Sequence, residues 1–159
     1  MPTARRSRTI AAPVQELWEL VRDPHHLPRW WPRVTRVEGV DDGAFTEVMK
    51  TKKGKLVRAD FNVIRADEAQ HVLCWEQRLA GTPFARVLET AETELTLEPT
   101  KGGQATKVTI ELRQTLMKGH LMGPYGRVGF SRGFGGFMVR RAAAATVHEA
   151  LDGLERING

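Results

Sequence analysis

The architecture of this chain follows from one segment, GRVGFSRGFGGFMVRRAAAATVHEALDGLERI, residues 126–157. Its apolar side chains recur at steps of three or four residues, the spacing of one face of a helix. A long helix with one such face needs a second layer to bury it, so the rest of the chain has to supply that layer. The face runs through Phe130, Phe134, Phe137, Arg141, Ala144, Val147, Leu151 and Leu154.

The beginning of this helix is unusually rich in glycine. Seven glycines lie between residues 119 and 136, among several aromatic residues. A glycine inside a helix costs up to about 1 kcal/mol relative to alanine, so this number needs a reason. The glycines could leave space beside the aromatic rings for a ligand, or let the sheet approach closely. They could also make residues 116–130 a mobile lid. The sequence leaves these three explanations open.

Length and composition predict one domain over residues 1–159. No apolar run approaches the roughly 20 residues that cross a bilayer. The basic start has no apolar stretch after it, so we expect no secretory signal and a cytoplasmic location. A single cysteine, Cys74, excludes an internal disulfide. The net charge of +5 permits weak attraction to nucleic acid, but no nucleic-acid-binding motif accompanies it, so we expect no such partner.

Two short helices are predicted near the start of the chain. Residues 13–22 alternate apolar and polar side chains with a helical period, and Pro13 suits the first turn of a helix. Pro24 ends this helix, because the residue before a proline avoids the helical region. Further prolines restrict residues 25–34 to one or two short turns.

From residue 35 onward the apolar period changes from helical to two, the period of strands. Turn signals such as Asp41-Asp42-Gly43 separate the strands. Consecutive strands joined by short turns favour an antiparallel sheet with one apolar and one solvated face. The predicted strands are residues 5–11, 36–40, 44–51, 56–66, 70–79, 85–98 and 104–116.

The stretch IAAPVQELWELVRDPHHLPRWWPRV, residues 10–34, followed by strands and a long C-terminal helix, resembles the START-like superfamily (SRPBCC, helix-grip fold) and its polyketide cyclase/dehydrase-like group. The resemblance implies an α+β fold, in which a seven-stranded antiparallel sheet curls around the C-terminal helix and two short helices follow strand 1. It also implies a cavity for an apolar small molecule between sheet and helix. The matching residues are Ile10, Ala12, Pro13, Val14, Trp18, Val21, Asp23, Pro24, Trp30, Pro32 and Val37.

Four polar residues fall on the inward, apolar register of their strands: Glu47, Gln77, Glu89 and Gln114. An unpaired buried carboxylate costs several kcal/mol, or its pKa rises until the group is neutral. Arg141, which interrupts the apolar helix face, is a candidate partner for the two glutamates. The pattern therefore allows a structural ion pair, a bulge that turns a glutamate outward, or a pocket in which a few polar groups orient an apolar ligand.

We predict that the protein binds an apolar or aromatic small molecule, lipid- or polyketide-like. One alternative is a cyclase/dehydrase-type enzyme that uses a buried glutamate as acid and base; another is a protein-interaction module without a ligand. The five histidines lack metal-ligand spacing, and the glycine-rich stretch does not follow a strand as phosphate-binding loops do, so we expect no metal and no cofactor. A monomer and a homodimer both remain possible. The predicted ligand-binding residues are Trp31, Glu47, Met49, Phe61, Trp75, Gln77, Glu89, Gln114, Phe130, Phe134, Phe137 and Arg141.

Overall fold

A computed structural model describes residues 2–51, 53–82, 85, 88–116 and 128–158, with side chains in the C-terminal helix from Arg140 onward. The helices are α1 (Val14–Arg22), α2 (Leu27–Trp30) and α3 (Val128–Asn158), and 3₁₀ turns span Pro24–His26 and Lys101–Gly103. The strands are β1 (Pro2–Ile10), β2 (Val34–Asp41), β3 (Ala44–Lys50), β4 (Leu56–Asp67), β5 (Val72–Gln77), β6 (Leu88–Thr100) and β7 (Ala105–Leu116).

All seven strands form one antiparallel sheet in the order β1-β7-β6-β5-β4-β3-β2. Strands β2 to β7 follow one another as hairpins, and β1 joins the far side by pairing with β7. The predicted turn at Asp42 and Gly43 is confirmed, with φ of 46° and 85°, the positive angles that tight hairpins require. Helix α3 packs against β1, β7 and α2. The predicted helix-grip arrangement is therefore confirmed.

The short helices after β1 form as their sequence predicts. The buried side chains of α1 include Leu17, Trp18 and Val21, which lie on one face of that helix. Asp23 ends α1, and its carboxylate accepts the backbone N–H of His25 at 3.0 Å, which starts the 3₁₀ turn. The α1–α2 region is thus a series of short turns instead of one long helix, as the prolines predict.

In the part of α3 whose side chains the structure describes, the buried face runs through Ala143, Val147, Ala150, Leu151 and Leu154. The prediction that Arg141 belongs to this face is wrong, because its side chain is exposed. An α-helix turns about 100° per residue, so Arg141 points roughly 160–200° away from Ala143. The side chains of the three phenylalanines predicted to continue this face lie outside the described residues. They are Phe130, Phe134 and Phe137.

Helices α2 and α3 cross at Gly153 with almost no space between them. A Cβ added at Gly153 would lie 2.2 Å from the carbonyl oxygen of Trp30. Only glycine permits this approach, which fixes α2, and with it Trp30 and Trp31, against the end of the sheet.

A buried hydroxyl fixes the connection between β1 and α1. Thr106 is fully buried, and its Oγ1 donates a hydrogen bond to the carbonyl oxygen of Ala12 at 2.8 Å. We expect Thr106→Val to lower the free energy of unfolding by roughly 1–3 kcal/mol, because the Ala12 carbonyl would lose this hydrogen bond. Chemical denaturation measures the loss. Thr96→Val, at a half-buried position that makes no side-chain hydrogen bond within the described residues, should change stability by less than about 0.5 kcal/mol.

Candidate ligand-binding site

A cavity of about 560 Å³ lies on the inward face of the sheet beside α3. Its volume falls in the range of small-molecule sites, about 300–1,000 Å³. Apolar side chains form most of its wall within the described residues: Trp31, Met49, Val57, Phe61, Trp75, Leu88, Ala91, Leu112, Ala142 and Ala143.

Small side chains on the inward face leave room for the cavity. Ala59 is the register partner of Glu47, and Ala91 is the register partner of Gln114. Further along β6 the inward side chains are Leu95 and Leu97, which are fully buried in the core. The space over the inward face of the sheet is therefore filled by side chains at one end and open as a cavity at the other.

Aromatic rings stiffen one wall of the cavity. Trp31, placed by the end of α2, meets Trp75 of β5 edge-to-face with ring centroids 5.7 Å apart. Trp75 in turn contacts Phe45 at 6.1 Å, and Phe45 stacks on Phe61 at 5.3 Å. Such edge-to-face and stacked pairs are favourable ring geometries, so this wall is preformed.

Glu47 is the most unusual group in the cavity. Its side chain is only 1% exposed, and within the described residues its carboxyl makes no hydrogen bond or ion pair. Burial raises its pKa to about 8, because the low-dielectric interior disfavours the charged form. At neutral pH Glu47 is therefore mostly a protonated acid, which can donate a hydrogen bond into the cavity.

Amide and hydroxyl groups complete the polar part of the lining. Gln77 of β5 lies on the same face, and its buried Nε2 has no hydrogen-bond partner in the part of the chain that the structure describes. Gln114 of β7 and Thr93 of β6 also line the cavity. A few polar groups in apolar walls are the usual composition of a site that orients a small molecule.

Seven of the residues predicted from the sequence to bind the ligand line this cavity together. Alternation along the strands places six of them, and the end of α2 places Trp31. They are Trp31, Glu47, Met49, Phe61, Trp75, Gln77 and Gln114.

The inward placement predicted for Glu89 is wrong. Leu88 pairs with Leu116 whereas Thr90 pairs with Thr115, so β6 carries one extra residue at this point. This bulge leaves Glu89 exposed and turns Leu88 into the cavity instead. Arg141, exposed on α3, forms no ion pair with either glutamate within the described residues. The bulge considered from the sequence is thus confirmed, and the ion pair between sheet and helix is wrong.

Several lining residues were not predicted. Ala91, Thr93 and Leu112 share the inward register of predicted residues, so strand alternation could have found them. Arg33 and Lys50 at the rim carry no such signal, because their position depends on how the loop after α2 meets the end of β3. The remaining unpredicted residues are Thr51, Val57, Leu88, Glu92, Ala142, Ala143 and Thr146.

The opposite face of the sheet carries an ionic cluster instead of a cavity. Arg113 lies 3.4 Å from Glu92, 3.3 Å from Glu94 and 3.2 Å from Glu111. The free thiol of Cys74 is buried beneath it, and burial raises the pKa of this thiol, as expected for an unreactive cysteine. Within the described residues, no group of three His, Cys, Asp or Glu side chains could hold a metal ion.

A seven-stranded antiparallel sheet that packs against a long C-terminal helix, with short helices after β1, is the START-like (helix-grip) fold. The chain belongs to the polyketide cyclase/dehydrase and lipid transport family, which it matches over residues 1–157.

Solved structures share this fold. A START superfamily protein from Mycobacterium smegmatis superimposes with a TM-score of 0.71 at 14% identity, covering 98% of this chain and 95% of that one. The di-domain ARO/CYC BexL from the BE-7585A biosynthetic pathway gives a TM-score of 0.74 at 20% identity, covering 96% of this chain. The chain spans only 45% of the length of BexL. A protein from Thermus thermophilus gives a TM-score of 0.67 at 20% identity, covering 96% and 94%. Identities this low establish the fold alone.

No curated protein matches the sequence. Among the described residues, no helix has the length and apolar character needed to cross a membrane.

Proposed function

We propose that the protein binds an apolar or aromatic small molecule, lipid- or polyketide-like, in the cavity between sheet and α3. The observation that carries this proposal is an apolar cavity of about 560 Å³ containing polar groups that no described residue satisfies. The family, described by polyketide cyclase/dehydrase activity and lipid transport, agrees with such a ligand.

The described wall of the cavity is mostly apolar, so it suits the apolar body of a small molecule. Among the described residues, the Glu47 carboxyl and the Nε2 atom of Gln77 have no hydrogen-bond partner, and a buried polar group without a partner is costly. A ligand with an apolar body and one or more oxygen acceptors supports both the walls and these donors.

A large side chain that extends from the sheet into the cavity should weaken binding. We expect Ala91→Phe to weaken binding of the neutral fluorescent probe N-phenyl-1-naphthylamine at least tenfold, because the new ring extends from β6 into the cavity and takes the place of the probe. Titration followed by the blue shift of probe emission measures the affinity. Thr90→Phe, one residue away and exposed, is the matched control and should bind as the wild type does. Equal binding by both variants would place the probe outside the cavity and contradict the proposal.

A second candidate function is acid–base catalysis by Glu47 on a bound ketone. A protonated carboxyl with a pKa near 8, in a cavity with an aromatic wall, can donate a proton to a carbonyl oxygen and accept one from the adjacent carbon. Positioned acid–base groups contribute about 10²–10⁴-fold to rate.

The test of catalysis is Glu47→Gln, which keeps the shape and removes the titrating proton. We expect the variant to bind the neutral probe normally but to lose at least about 100-fold in kcat/KM for cyclisation of a poly-β-ketone thioester. Product formation followed by liquid chromatography measures the rate. An unchanged rate would exclude Glu47 as the acid or base and leave binding as the function.

A further inference from the structure

The rim of the cavity is basic, and two of its cations are held close together. Arg33, in the loop after α2, and Lys50, at the end of β3, both line the cavity. The backbone N–H of Lys50 donates to the carbonyl oxygen of Arg33 at 2.9 Å, which ties the two segments together. Lys50 makes no ion pair within the described residues, and Arg33 has one carboxylate partner there, Glu149, at 3.8 Å.

Within the described lining, no carboxylate of the cavity balances these cations. The acids there are Glu47, which is mostly protonated at neutral pH, and Glu92, which pairs with Arg113 on the outer face. Because neither glutamate pairs with these cations, Lys50 is unpaired within the described residues and Arg33 has only Glu149, at 3.8 Å, so both cations can bind a ligand anion.

An adjoining groove extends the basic rim. This groove, of about 340 Å³, shares Trp31 and Arg33 with the cavity. It also contains Arg29 and Arg156, which make no ion pair within the part of the chain that the structure describes, whereas its two acids, Glu149 and Asp152, are paired with Arg33 and Arg8. The groove therefore adds to the positive potential at the entrance.

The backbone at the rim is itself unusual. Arg33 has a φ of 66°, the left-handed region that non-glycine residues rarely occupy. Strained residues of this kind concentrate at sites that bind ligands. The conformation turns the chain from α2 into β2 at the point where Arg33 meets the cavity.

Building on the ligand-binding function proposed above, we propose that the ligand is an anion whose apolar body fills the cavity and whose carboxylate, sulfonate or phosphate end binds Arg33 and Lys50. Lys50 is the third residue after Glu47 on β3, roughly 10 Å along the strand. A body of two fused rings spans this distance, with its polar atoms near Glu47 and its charge at the rim.

Two probes that differ by one charged group test the proposal. N-phenyl-1-naphthylamine is neutral, and 1-anilinonaphthalene-8-sulfonate has the same ring skeleton with a sulfonate. We expect the sulfonate to bind at least about fivefold tighter, and the difference to shrink in about 0.5 M sodium chloride, which screens an exposed charge pair. Fluorescence titration of the full chain gives both affinities.

Removal of the rim cations should erase this preference. In Arg33→Gln/Lys50→Gln we expect equal affinities for the two probes, with the neutral probe bound as in the wild type. The matched control is Arg36→Gln/Arg58→Gln, which removes two exposed arginines that pair with Glu38, and it should keep the preference. Lys50→Gln alone alters one exposed side chain and should lower only the sulfonate affinity, by about two- to threefold.

Each possible result either supports or contradicts the proposal. Equal binding of both probes to the wild type, or an equal loss of both in the rim variants, would overturn the anionic end while leaving a cavity that binds apolar molecules. A control that loses the preference as the rim variant does would reduce the effect to net charge and also overturn the assignment. If neither probe binds the wild type, the proposed binding function itself falls.

Discussion

Gly153→Ala should lower the free energy of unfolding by roughly 3 kcal/mol, near the upper end of the cost of overpacking. The added Cβ would lie 2.2 Å from the carbonyl oxygen of Trp30 and 2.9 Å from its carbonyl carbon and Cα. All three are backbone atoms, so no side-chain rotation relieves the clash and α2 has to move away from α3. Urea denaturation monitored by circular dichroism measures the loss.

The direction of the stability change in Gly153→Ala tests the packing of α2 on α3, because the clash and helix propensity predict opposite signs. Helix propensity alone predicts that alanine stabilises α3 by up to about 1 kcal/mol relative to glycine. The matched control is Ala145→Gly, at an exposed position of the same helix, which should cost roughly 0.5–1 kcal/mol. A neutral or stabilising Gly153→Ala would show that α2 does not pack on α3 as described. Because α2 positions Trp31 beside Trp75, we also expect the variant to bind the neutral probe more weakly.

The second large effect is a dependence of stability on pH that comes from Glu47. Its pKa is about 8 in the folded protein against an ordinary value of 4.5, so between these values the folded state holds a proton that the unfolded state has released. The stability that comes from the neutral acid is complete below pH 4.5 and is lost as the pH rises to about 8. The shift corresponds to a decrease of roughly 4–5 kcal/mol across this window.

Glu47→Gln should remove this dependence. The amide cannot ionise, so at pH 7 we expect the variant to be more stable than the wild type by roughly 3 kcal/mol. The difference between the two proteins, measured by urea denaturation from pH 4.5 to 8, isolates Glu47 from the other titrating groups.

Glu98→Gln is the control for the loss of a surface charge, since Glu98 is exposed and unpaired within the described residues. Its stability should follow that of the wild type at every pH. A Glu47→Gln curve parallel to the wild type would mean that the Glu47 carboxyl is already ionised in the folded protein, which would require a charged partner.

Most of the fold could be predicted from the sequence because local patterns set it. Alternation along β4, with Val57, Ala59 and Phe61 on one face and charged residues between them, identifies both the strand and its inward side. The same alternation places Glu47 and Gln77 in the cavity. Prolines and Asp23 limit the first helices, and the apolar period of α3 identifies the helix that the sheet holds.

Other features required the tertiary structure, because they arise between segments distant in the chain. The bulge in β6 follows from its pairing with β7, so alternation alone placed Glu89 on the wrong face. Arg141 fits the helical period, yet the packing of α3 on β1 and β7 buries Ala143 and Val147 and leaves Arg141 exposed.

Local sequence patterns thus predict the elements, their order and the polar residues on the inward face of the sheet. The absence of a partner for Glu47 among the described residues, and the hydrogen bond between the backbones of Arg33 and Lys50 at the rim, follow from the folded arrangement. The physical reason is that side-chain direction follows from local backbone geometry, whereas pairing, burial and charge balance depend on which segments pack together.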